Sequence, residues 1–225
     1  MFFGIVISVS VVGAIVLAIG LFLQRGREGV DLSPRSLISA YLYVASLAAV
    51  VVAAGGLAAL LTFGLGTAVG RDMIYGGSSG EVFPVKCAPG SECSAEPTPL
   101  EQRRRIVEQR DRRAGEDLIR GISFTVLGLL FFVAHWTARR ALKIDEGRSA
   151  LRRGYLMLGT LAFGLATFAM LPDGVTTVAS YALLAATPDT YRPAAGEPLA
   201  GGLVALVIWL AYLRLVVRDF RNSTD

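Results

Sequence analysis

His135 is the only histidine in the chain, and Trp136 follows it directly. An imidazole near the end of an apolar run is suited to bind a haem or chlorophyll through its ring nitrogen. One histidine cannot supply both axial ligands of a bis-histidine haem, and the four methionines (Met1, Met73, Met157 and Met170) give no obvious partner. The reading we favour is a His-Trp pair that anchors a helix at headgroup depth, with Arg139 and Arg140 just beyond it. The two cysteines, Cys87 and Cys93, have five residues between them, including Pro89-Gly90. A metal site would want more ligands at tighter spacing. A local disulfide in an outward-facing loop is the better expectation, and closing so short a loop stabilises little.

Other chemistry is scarce. A Ser-His-Asp set is hard to assemble around one histidine, and neither a Gly-rich phosphate loop nor a zinc-protease motif occurs. Glu116-Asp117 near Arg120 reads as an interfacial helix start, where carboxylates suit the positive end of the helix dipole. Ion-coupled carriers and proton pumps keep ionisable groups inside the membrane at a cost of several kcal/mol each. Here the apolar runs hold no Asp, Glu, Lys or Arg in their central parts. We therefore expect neither an enzyme nor a bound cofactor.

The elements that would position these residues are membrane helices. Mean hydropathy is +0.55, with 53% hydrophobic residues against 18% charged. No charge occurs from Met1 to Gln24, from Ser36 to Gly70, from Gly154 to Pro172 or from Pro198 to Leu213. Gly121 to Ala138 carries only His135. A bilayer core of about 30 Å needs roughly 20 apolar helical residues to cross it, and continuous runs of Ala, Leu, Val and Gly fit helices rather than barrel strands. The expectation is an all-α integral membrane protein with five spans near 2–23, 37–60, 119–140, 153–172 and 199–217. Gly55-Gly56 reads as a flexible point and Pro172-Asp173-Gly174 as a turn. Short interfacial helices would follow them at 57–70 and 175–187. The first run lacks the basic start of a signal peptide, so it reads as a retained span.

Lys and Arg are nearly balanced between the two sides. The charges that follow the first span, and the cysteines, favour a cell-membrane protein with its N-terminus outside and its C-terminus in the cytoplasm. Basic residues at helix ends point to anionic lipid rather than to nucleic acid. In the long loop 71–116, Thr98-Pro99-Leu100-Glu101 is a capping box, with Thr98 as cap and Glu101 at the third helical position. It starts a charged extramembrane helix whose Glu101–Arg105 and Glu108–Arg112 pairs lie at i,i+4. Tyr41, Tyr43, Trp136 and Tyr155 stand where aromatic belts are expected.

An internal repeat is also legible. SAYLYVASLA (39–48) and RGYLMLGTLA (153–162) align at an offset of 114 residues, pairing Tyr41 with Tyr155 and Leu42 with Leu156. Farther on, Phe132 stands opposite Trp209 and His135 opposite Tyr212. The organisation expected is an N-terminal helix (1–24) and two parallel two-span repeats (33–142 and 147–218), with the Cys-containing loop 71–116 inserted in the first.

Three stretches resemble a bacterial family of multi-pass membrane domains of uncharacterised function. They are the Tyr-Leu-Tyr helix start (Tyr41 to Tyr43), Ala-His-Trp (Ala134 to Trp136) and Leu-Arg-Arg-Gly-Tyr-Leu (Leu151 to Leu156). The resemblance covers roughly residues 33–185, and departs from the family at the Cys-bearing insertion and at Tyr212-Leu213, where a second His-Trp is missing. It implies fold and membrane location but no reaction. The function expected is that of a non-enzymatic structural or accessory subunit. It would contact lipids, and a protein partner or a second copy through small-residue faces such as Ala45, Ala49 and Ala53. Alternatives are a passive carrier or channel for an uncharged or hydrophobic solute, and a redox or pigment subunit using His135.

Overall fold

The computed structural model describes residues 34–76, 99–144, 150–184 and 193–224. The first expected span, Cys87, Cys93 and Thr98 lie outside the described residues. Among those described, five helices and no strand occur: α1 (Pro34–Ala68), α2 (Arg71–Tyr75), α3 (Pro99–Ala141), α4 (Ala150–Leu183) and α5 (Gly196–Thr224). α1, α3, α4 and α5 are each long and apolar enough to cross a membrane. In α3 every Asp, Glu, Lys and Arg before the last turn precedes Gly121, so the helix divides there into a charged half and an apolar half.

Two expected breaks are corrected. α1 runs unbroken through Gly55-Gly56 and absorbs the short helix expected at 57–70. α4 runs through Pro172 to Leu183 and absorbs most of the one expected at 175–187. In water, glycine disfavours a helix by roughly 1 kcal/mol and proline by about 3. In lipid, leaving backbone groups unpaired costs more than either, which favours a continuous helix. The 43-residue α3 runs through Gly115 without interruption.

Gly56 is used for packing rather than for flexibility. A methyl group there would overlap the backbone of Thr125, and one on Gly128 would overlap Ala53. Small residues on both helices thus bring α1 and α3 close together, as in membrane helix pairs generally. α4 packs along α5 in the same way, while α1 also touches α5 and, to a lesser extent, α4. The main core lies where α1, α4 and α5 meet and contains Tyr43, Ala54, Tyr155, Leu156, Phe163, Ala205 and Tyr212. A smaller one, of Ile74, Tyr75 and Ala114, holds α2 against the bundle end.

The turn into α2 uses Gly70 at φ 123°, a region that residues with a Cβ rarely adopt. α2 is then tied on three sides. Arg71 pairs with Asp111, and Arg110 pairs with Asp72. The Ala195 N–H donates to the Met73 carbonyl at 3.1 Å.

Candidate functional site

Where α2 closes on α1, α3 and α5 there is a cavity of about 320 Å³. Its apolar floor is Gly55, Ala58, Ala59 and Ile74, and its polar wall is Thr62, Tyr75, Arg113, Glu116, Asp117, Arg120 and Glu197. Each helix supplies its part for a local reason. Gly55 and Ala58 keep α1 thin there. The i,i+3 and i,i+4 spacing of Arg113, Glu116, Asp117 and Arg120 places all four on one flank of α3. Glu197 stands in the first turn of α5, where a carboxylate suits the dipole.

The electrostatics are uneven around the wall. The Arg112 Nε–H donates to Glu116 at 3.0 Å, which engages that carboxylate from the solvent side. Asp117 is half-buried, and burial raises its carboxyl above the usual range; Glu197 and Glu116 add to the rise, while Tyr75 and Arg120 oppose it. Tyr75 is only 5% exposed; its hydroxyl is aimed at no partner within ordinary hydrogen-bonding geometry, and Asp117 stands close enough to interact with it. Burial raises the Tyr75 phenol as well, and the negative charge of Asp117 adds to this. A buried hydroxyl left without a partner costs about 1–3 kcal/mol, and a water or ligand in the cavity that Tyr75 lines would remove that cost. The Thr62 hydroxyl donates to the carbonyls of Ala58 at 2.9 Å and of Gly196 at 3.4 Å.

The opposite end of the bundle carries a second cluster. Arg139, expected as a charge flanking the membrane, turns inward and is 6% exposed. Its guanidinium lies 4.8 Å from the Tyr43 ring centre and 5.5 Å from that of Tyr155, close enough for cation–π attraction to both. The Tyr155 and Tyr212 hydroxyls are hydrogen-bonded at 2.7 Å. Tyr43 and Tyr155, read from the sequence as interface anchors, are therefore enclosed by protein. Tyr41 does face outward, at 63% exposed, and Trp136 carries the Arg140 guanidinium 3.8 Å above its ring.

His135 is half-exposed and donates its Nδ1–H to the Phe131 carbonyl at 2.6 Å. Its ring lies between Tyr41, at 5.9 Å, and Phe131, at 6.4 Å. Among the described residues, no group of three His, Cys, Asp or Glu side chains is placed to hold a metal ion. Glu101 lies in the first turn of α3.

Residues 103–213 match DUF5671, a domain of unknown function. The DUF5671 stretch begins in the charged half of α3 and ends just after Tyr212, so it holds Asp117, His135, Arg139, Tyr155 and Glu197 but neither α1 nor α2. It covers just under half of the chain, and lies farther toward the C-terminus than the 33–185 expected from short motifs. No curated protein and no solved structure matches the chain.

The sequence pattern did not single out Tyr75, Thr62 or Glu197, and it placed Glu116-Asp117 at a helix start, whereas α3 begins at Pro99 and carries both acids mid-helix. The available signal was the acid at 197, directly before an apolar run, together with the acid pair 116–117 directly before another.

Proposed function

We propose that this chain is a non-enzymatic multi-pass membrane protein serving as a structural or accessory subunit, with the open flank of α3 as the surface it offers. The observation that carries this reading is how little of α3 the bundle covers. In its apolar stretch 11% of residues are buried, against 28–39% in the other three long helices. Ile122, Val126, Leu130 and Phe131 all face outward. Lipid covers such a face readily, but the same helix extends into a charged half that rises beyond the membrane, giving a partner both an apolar and a polar hold.

On this reading the bundle is two repeated helix pairs, α1 with α3 and α4 with α5. With the Cys-containing loop taken as an insertion, the offset of 114 that pairs Tyr41 with Tyr155 becomes 77 beyond the loop and pairs His135 with Tyr212. The Tyr41–His135 rings lie 5.9 Å apart at 57°, and the Tyr155–Tyr212 rings 5.7 Å apart at 54°. Equal contacts at aligned positions support a duplication.

A cysteine at Leu130 or Ile122, crosslinked in native membranes before gentle solubilisation, should trap a partner or a second copy, while one at Met157 on α4 should not. Crosslinks to lipid alone at all three positions would refute the subunit reading. The second reading, a passive carrier, draws on the cavity open at one end of the bundle. It requires solute uptake into liposomes that contain the purified protein, and its absence counts against that reading.

A further inference from the structure

The cavity at the α2 end has a composition that points to a ligand class. We propose that it binds a small zwitterion by its primary ammonium group, with Asp117, Glu197 and the Tyr75 hydroxyl as acceptors and Arg113 and Arg120 facing the anionic oxygens. An ammonium group carries three donors and no acceptor. Three acceptors from three helices line this one cavity: a carboxylate of α3, a carboxylate of α5 and a phenol oxygen of α2. The phenol oxygen is the telling member, since Tyr75 is buried and lines the cavity, and its hydroxyl has no partner within ordinary hydrogen-bonding geometry.

Charge complements the argument. The wall holds three carboxylates and two guanidiniums, so a simple cation would meet repulsion from the arginines and a simple anion would meet more from the acids. A molecule with both signs a few bonds apart satisfies both halves. The volume of about 320 Å³ is at the small end of ligand pockets, which run roughly 300–1,000 Å³. Position adds a further constraint, because the cavity lies just before Gly121, where α3 becomes apolar. That is headgroup depth, and an ethanolamine phosphate headgroup carries the same pair of groups as the free solute. The inference is independent of whether a partner covers α3.

The test uses the full chain in phosphatidylcholine nanodiscs, titrated calorimetrically with O-phosphoethanolamine. Saturable binding is expected. Phosphocholine, whose nitrogen bears no N–H, should bind at least about tenfold more weakly, as should O-phosphoethanolamine to Asp117→Asn, since a hydrogen bond to a charged group contributes roughly 10-fold or more to affinity. Tyr75→Phe should weaken binding severalfold. Nanodiscs containing phosphatidylethanolamine separate the sources: competition with the free probe identifies a lipid headgroup, and unchanged affinity identifies a free solute. Should Asp117→Asn elute as an aggregate, Glu197→Gln and Tyr75→Phe carry the comparison. Equal binding of phosphocholine, unchanged affinity in the folded variants, or neither saturable binding of the probe nor enrichment of phosphatidylethanolamine around the protein would overturn the proposal.

Discussion

The Tyr155–Tyr212 hydrogen bond permits a quantitative test of what holds α4 to α5. Replacing either residue by Phe removes one oxygen and keeps the ring, so the aromatic contacts persist: Tyr43–Tyr155 at 5.4 Å and Phe163–Tyr212 at 5.9 Å. The 2.7 Å bond is buried between two helices. In water-soluble proteins, stranding one buried hydroxyl costs about 1–3 kcal/mol. Measured couplings between membrane helices are smaller, averaging ~0.6 kcal/mol with a maximum near ~1.7. The unfolded chain in detergent or lipid finds other partners, so the lower range applies. Each single variant should therefore lose about 1 kcal/mol, and Y155F/Y212F together should lose less than the sum by roughly 0.6–1.7 kcal/mol. Reversible unfolding in mixed micelles, followed by circular dichroism as the SDS fraction rises, measures all four corners of the cycle. Additivity within about 0.3 kcal/mol would mean that the two hydroxyls are not coupled, and the packing account of this end would fall with it.

Two further outcomes follow from the geometry. Gly128→Leu should separate α1 from α3, because the added side chain meets the Ala53 backbone rather than a movable side chain; overpacking of this kind costs about 1–3 kcal/mol or more, read in the same unfolding assay, with Gly154→Leu, which meets nothing within 4 Å, close to neutral. The raised Asp117 carboxyl makes stability fall as pH rises from the ordinary aspartate range through its folded-state value, since the folded form then holds its proton more tightly than the unfolded one. Asp117→Asn should flatten that slope and be the more stable protein above it; a wild-type profile that rises through this window would contradict the burial argument.

How much of this was legible beforehand divides along physical lines. The long helices were, because a charge-free run of about 20 residues has few alternatives in a bilayer. Their ends were not. Gly55-Gly56 reads as a flexible point and Pro172 as a turn by rules learned in water, where a broken helix exchanges its lost bonds for solvent; apolar surroundings offer no such exchange. Arg139 was misplaced for a different reason. Sequence gives the depth of a residue in the membrane, but its inward direction depends on which helices surround α3. Asp117 was read as a helix-start acid, but α3 starts at Pro99 and carries it mid-helix, and its neighbours Tyr75 and Glu197 arrive from α2 and α5. No spacing within one segment shows that they meet.

The two ends of the bundle also bear on which function the fold can serve. At the α2 end the polar groups of several helices face a common space. At the other, Arg139 is packed between tyrosine rings and the hydroxyls bond to each other. Between them, Ser46, Thr160 and Thr167 each donate to the carbonyl four residues earlier, at 2.6–2.8 Å. Hydroxyls engaged in this way lend a passing solute little hydrogen bonding. The residues around them, Ala54, Leu156, Phe163 and Ala205, are buried and apolar. Among the described residues a polar molecule therefore finds acceptors at one end and a close-packed stretch beyond it. Such an arrangement favours retention at the α2 end over passage through the bundle, and makes binding rather than flux the property by which this chain is best assayed.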